Sequence, residues 1–111
     1  MTIPELKLLT DIKVAIESID IHLEYKRDFT AYLANKTKRR AVERELEIVG
    51  EAMNNLLKLN PSIPLSYAKV IVSLRKQIIH AYDNVNNTII WKIIMKDLPV
   101  LLTEVNGLIK N

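Results

Sequence analysis

The chain has 111 residues, enough for one hydrophobic core and too few for two, so residues 1–111 read as a single domain. Hydrophobic residues make up 49% and charged residues 26%, with two glycines and four prolines, a composition that excludes a disordered chain and suits packed helices. The absence of cysteine excludes a disulfide framework, a thiolate zinc cluster and a thiol nucleophile, while a net charge of +3 permits a polyanionic partner without requiring one.

In chain order, Thr2, Pro4 and Glu5 form a helix start: a threonine cap, a glutamate three residues on and a proline in the first turn. Leu8 or Leu9, Ile12, Ala15 or Ile16, Ile19 and Leu23 then recur at three- and four-residue steps, which predicts a core-facing helix to about residue 25. Phe29, Tyr32 and Leu33 make a short apolar turn before NKTKRR, residues 35–40, where Thr37 is the expected cap of a long second helix. Val42, Leu46, Val49, Met53 and Leu56 carry that helix to NPSIP, residues 60–64, whose prolines stop it. From Ser66 a third helix is predicted, with Tyr67, Val70, Ile71, Leu74, Ile78, Ala81 and Val85 on its buried stripe. DNVNN, residues 83–87, should end or bend it, and a strongly apolar segment, Ile89 to Met95, precedes Pro99, which should restart or kink the last helix. The expected architecture is all-α, an up-and-down bundle of four to five helices. No apolar run approaches the ~18 residues that span a bilayer, and MTIPELK lacks the layout of a signal peptide, so a cytoplasmic protein without a membrane partner is expected.

One stretch resists this scheme. RKQIIHAY, residues 75–82, puts an arginine, a histidine and a tyrosine in an apolar helix. With the core stripe at zero, Arg75 and Tyr82 lie roughly 60–80° to one side, Val72 and Ile79 roughly 120–140°, and His80 roughly 220°, nearly opposite the core. Spacing alone also fits a bland reading, in which Arg75 snorkels, Tyr82 closes a helix end and His80 is solvated. The Val72 and Ile79 strip suggests a partner surface.

R-x-x-x-x-H-x-Y, here Arg75, His80 and Tyr82 in an all-α chain of this length, resembles the signature of the HEPN superfamily and, in its tyrosine form, of the HepT toxin family. AVERELEIVGEA at 41–52, IIHAYDNVNN and IIWKIIMKDLPVLL are similar to further family segments, so the resemblance covers nearly the whole chain. It implies a homodimer whose two motifs line a shared cleft and act as a metal-independent endoribonuclease on RNA, with no cofactor and no role for DNA. His80 would be the acid/base and Arg75 the phosphate clamp, roles that suit an imidazole, with an unperturbed pKa of about 6.5, and a forked guanidinium. Because the two lie roughly 140° apart on an ideal helix, they converge only if Arg75 extends across, the helix distorts or a second subunit contributes one of them. The resemblance further implies a toxin–antitoxin pair, in which a partner nucleotidyltransferase transfers AMP to Tyr82, adding negative charge and bulk beside Arg75.

Two positions depart from the family pattern: Lys76 stands where a small polar residue is usual, and Ala81 where a glycine is. Lys76 keeps a cation near the phosphate but cannot be a neutral hydrogen-bond partner, which favours a rival reading: a non-catalytic helical partner of the nucleotidyltransferase. Arg39 and Arg40, in the densest basic run, are candidate RNA contacts or simply solvated. Glu51 is expected to support the cleft. Glu43, Glu47 and Glu51 share a face without histidine partners, so no metal site is expected, and His22 reads as surface.

Overall fold

A computed structural model of the chain describes residues 1–81 and 85–110. All regular structure among them is helical: α1 (Ile3–His22), α2 (Phe29–Ala34), α3 (Lys36–Leu59), α4 (Ala68–Ala81), α5 (Asn87–Lys92), a π-helical turn (Ile93–Asp97) and α6 (Leu98–Lys110). The all-α expectation holds, and none of the described helices is long and apolar enough to cross a membrane.

α1 starts at the capping box foreseen in the sequence. The Thr2 hydroxyl accepts from the Glu5 N–H at 3.2 Å, and the Glu5 carboxylate accepts from the Thr2 N–H at 2.7 Å. The helix stops at His22, about a turn short of expectation, because Glu24 and Tyr25 take left-handed backbone angles with φ of 56° and 59°. Asp28 caps α2, and Asn35, rather than Thr37, caps α3: its backbone is extended and its side chain accepts from the Lys38 N–H at 2.9 Å.

The start of α4 corrects the sequence reading. Ser66 is held outside the helix by Glu104 of α6, which accepts from its N–H at 2.9 Å and from its hydroxyl at 2.7 Å. Tyr67 then adopts φ 65°, so it is exposed instead of continuing the buried stripe, and Val70 is 45% exposed as well. Asn86 caps α5 through the Ile89 N–H. Pro99 stands at the start of α6, as expected for a restart, and the helical run continues into it through the π turn without a gap. Its ring would clash with a carbonyl four residues back in an α-helix, and the wider π turn relieves this, with the Leu98 N–H donating to the Ile93 carbonyl.

The buried apolar residues form one cluster drawn from every long helix, including Ile12 and Ile19 of α1, Leu46 and Met53 of α3, Ile71 and Leu74 of α4, and Leu101 and Val105 of α6. α3 is the central element, packed against α1 on one side and α4 on another, with α6 against α1. Tyr32 of α2 is fully buried beneath Phe29 and Trp91, with its ring 5.2 Å from Trp91.

The backbone N–H and hydroxyl of Thr2 hold the Glu5 carboxyl below its ordinary value of 4.5 against a smaller opposing effect of burial. A depressed carboxyl stabilises fully above its ordinary value, and that contribution is lost as pH falls through the depressed one. Glu5→Gln should therefore lower the unfolding temperature near neutrality, and the gap from the native chain should close in thermal melts taken at progressively more acid pH.

Candidate active site

α4 buries Ile71, Leu74 and Ile78 in the bundle, and the helix is a regular α-helix across its described length. Arg75 lies just beside that stripe and is half-buried, because its stem runs over Gly50 of α3. A Cβ built on Gly50 would stand 2.5 Å from the Arg75 Cβ and 3.1 Å from the Ile71 carbonyl oxygen. The two helices can approach this closely only where one has no side chain. Reading the sequence by motif missed Gly50. The available signal was a glycine inside a long run of helix formers, which costs ~1 kcal/mol relative to alanine and so calls for a packing reason.

His80 is exposed on the far side of α4 from the core, as the helical periodicity predicts, and makes no hydrogen bond or ion pair among the described residues. Lys76 is exposed one turn before it. Val72 is half-buried and Ile79 exposed, which leaves part of the second apolar strip open. Tyr82 lies outside the described residues. From Ala68 to Ala81 the helix carries Lys69, Arg75 and Lys76 and no carboxylate. In one chain Arg75 and His80 do not converge: a regular α-helix separates them by roughly 140° and about 7.5 Å of rise. What α4 offers is an accessible imidazole for proton transfer and, round the helix, a guanidinium set to receive an anion.

The other candidates are placed elsewhere. Glu51 lines a separate cleft between α3 and α1 with Leu8, Asp11 and Asn55, and is not brought to Arg75. Arg39 donates to the Leu33 carbonyl, tying α3 to the end of α2, and Arg40 pairs with Glu43 at 3.3 Å. Lys38 pairs with Glu24 at 3.6 Å, so most of the basic run serves contacts within the chain. The supposed carboxylate ladder divides in the same way, with Glu43 buried beside Arg40 and Glu47 paired with Arg44 at 3.2 Å. The Tyr32 hydroxyl is buried without a hydrogen-bond partner among the described residues, and burial pushes its pKa well up, helped by the charge of Glu43 and opposed by Arg39. His22 is not plain surface: it is half-buried and meets Glu45 of α3 at 2.8 Å.

The two glycines make a controlled comparison. Gly50→Ala should destabilise the protein, since the ~1–3 kcal/mol of overpacking exceeds the ~1 kcal/mol gained in helix propensity. Gly107→Ala, where an added Cβ meets nothing within 4 Å, should stabilise by up to ~1 kcal/mol. Denaturant unfolding of both variants checks the pair.

Comparison with known proteins identifies the family. The profile of the family described as "Ribonuclease HepT-like" matches residues 12–108. A protein of Thermococcus cleftensis named "Probable ribonuclease HepT" is 37% identical over 99 residues, covering 84% of each chain. Two others, each named provisionally as an RNase, come from Methanocaldococcus jannaschii, 34% identical over 81% of this chain and 85% of its own, and from Caldanaerobacter subterraneus, 35% identical over 74% of both. No solved structure gives a significant match. With nearly its whole length matched and Arg75 and His80 carried on an all-helical bundle, the chain belongs to the HepT-like ribonuclease family.

Proposed function

We propose that this protein is an endoribonuclease that cuts RNA without a metal ion, as a homodimer, with His80 moving the proton and Arg75 holding the phosphate. The observation that carries the reading is the pairing on α4 of an exposed histidine, without a partner among the described residues, with an arginine seated over Gly50, on a helix without a carboxylate. An imidazole takes the proton from a ribose 2′-hydroxyl, the 2′-oxygen attacks phosphorus, the bond to the 5′-oxygen breaks, and that oxygen regains a proton. The guanidinium stabilises the charge that develops on the phosphate oxygens.

Two features favour a site shared between subunits. α4 is regular, so helix distortion has no support, and the Arg75 stem is committed to Gly50, so it is poorly placed to reach across its own helix. A second copy meeting this flank of α4, with Val72 and Ile79 as the apolar contact, would bring one chain's Arg75 toward the other's His80. We further propose that the enzyme is the toxin of a cytoplasmic toxin–antitoxin pair, silenced when a partner nucleotidyltransferase attaches AMP to Tyr82. An added phosphate two residues from His80 would occupy the anion position that Arg75 offers substrate. Lys76 adds a cation to this face in place of a neutral polar group, which suits phosphate binding and leaves proton transfer to His80.

Purified protein incubated with total RNA and tRNA in EDTA should cut, and His80→Ala and Arg75→Ala, checked by circular dichroism, should each lose at least about 10²-fold in rate. Mixing the two inactive variants should restore about a quarter of native activity, because half the exchanged dimers regain one intact site of two. Cleavage that survives both substitutions would end the reading. So would no cleavage by a sample that mass spectrometry shows to be free of AMP, an outcome that would favour a helical partner of the nucleotidyltransferase. Incubation with that nucleotidyltransferase and ATP should add AMP to the native protein and none to Tyr82→Phe, and the modified protein should stop cutting.

A further inference from the structure

The side of α4 away from Arg75 closes against α5 over a groove of about 290 Å³, lined by Lys69, Val70, Ser73, Gln77, Ile89 and Ile93. Its floor is apolar and open: Val70 and Ile89, which both line it, are 45% and 46% exposed. Its wall is polar, with the Gln77 amide donating to the Ser73 hydroxyl at 3.5 Å. That arrangement leaves the Gln77 carbonyl and a second amide hydrogen available to a ligand. Neither α4 nor α5 carries a carboxylate. Lys69 and Lys76 are exposed, lie about two turns apart on the outer face of α4 and have no ion pair among the described residues. Gln77 is one turn before His80 on the same open side.

We infer that this groove is a base-binding subsite, taking the nucleobase of the nucleotide next to the cut while Lys69 and Lys76 follow the sugar–phosphate chain. The inference rests on the reading of His80 as the group that acts on RNA. An unstacked base matches both surfaces: its flat apolar face lies on Val70, Ile89 and Ile93, and its polar edge meets the amide of Gln77. A protein segment with an acidic rim would suit the lysines equally but would not use a paired amide and hydroxyl beside a proton-transfer group. The groove has the size of the smallest ligand sites, ~300 Å³, which admits one base and excludes a duplex. The subsite therefore selects single-stranded RNA and gives the enzyme its sequence preference, a role that Arg75 and His80, which contact only phosphate and ribose, cannot fill.

The test has two arms. Sequencing the ends left by native enzyme on total RNA should show a base preference at a position beside the cut, and Gln77→Ala and Ser73→Ala should flatten it while slowing cleavage several-fold. An unchanged preference in both variants overturns the subsite but leaves the ribonuclease standing. In the second arm, His80→Ala is titrated with a fluorescent 2′-deoxy oligonucleotide and with the same strand carrying one abasic site. Several-fold weaker binding of the abasic strand, abolished when Gln77→Ala is added, supports the subsite even if no cleavage is seen; equal binding of both strands by His80→Ala overturns it.

Discussion

α3 has to bury two flanks at once. Its buried residues run from Ala52 through Val49, Leu46 and Gly50 to Glu43, roughly half of its circumference, where an ordinary surface helix buries about 100°. One flank takes α1, with His22 reaching Glu45 near the end of that helix, and the other takes α4. At the second contact Gly50 lets the α4 backbone come down onto α3 at Ile71 and Arg75. A larger residue there would lift α4 and with it the face that carries the motif.

This close approach has an electrostatic side. Arg75 is positioned through its aliphatic stem, and among the described residues its guanidinium pairs with no carboxylate. The basic run at residues 35–40 is treated in the opposite way. Lys38, Arg39 and Arg40 are tied to Glu24, Leu33 and Glu43 respectively, where they join α2, α3 and the turn after α1. The densest positive stretch of the sequence is thus largely structural, whereas Lys69 and Lys76 of α4 make no ion pair among the described residues.

Packing also explains why Arg75 and His80 face different ways within one chain. A straight helix cannot turn Arg75 and His80 to one point, and the same geometry that seats Arg75 on α3 turns His80 away from the bundle. The open strip of Val72 and Ile79 lies between them. The symmetric pairing proposed above would cover that strip and bring the two groups together.

Periodicity was sufficient for the all-α architecture, for the extents of α1, α3 and α4 to within about a turn, and for the outward position of His80, because three-four spacing translates directly into a helix face. The R-x-x-x-x-H spacing made the motif legible, together with the segments around it. Other features depended on partners distant in sequence. Ser66 leaves α4 because Glu104 accepts its N–H, which puts Tyr67 into solvent despite its place on the predicted stripe. The π turn before Pro99, the burial of Glu43 beside Arg40 and Tyr32, the removal of Glu51 to the α1 cleft and the pairing of His22 with Glu45 are likewise set by what lies across the helix rather than along it. Gly50 shows the division most clearly: its cost to the helix is written in the sequence, but its reason, an arginine stem 25 residues later in the chain, exists only once α3 and α4 are packed.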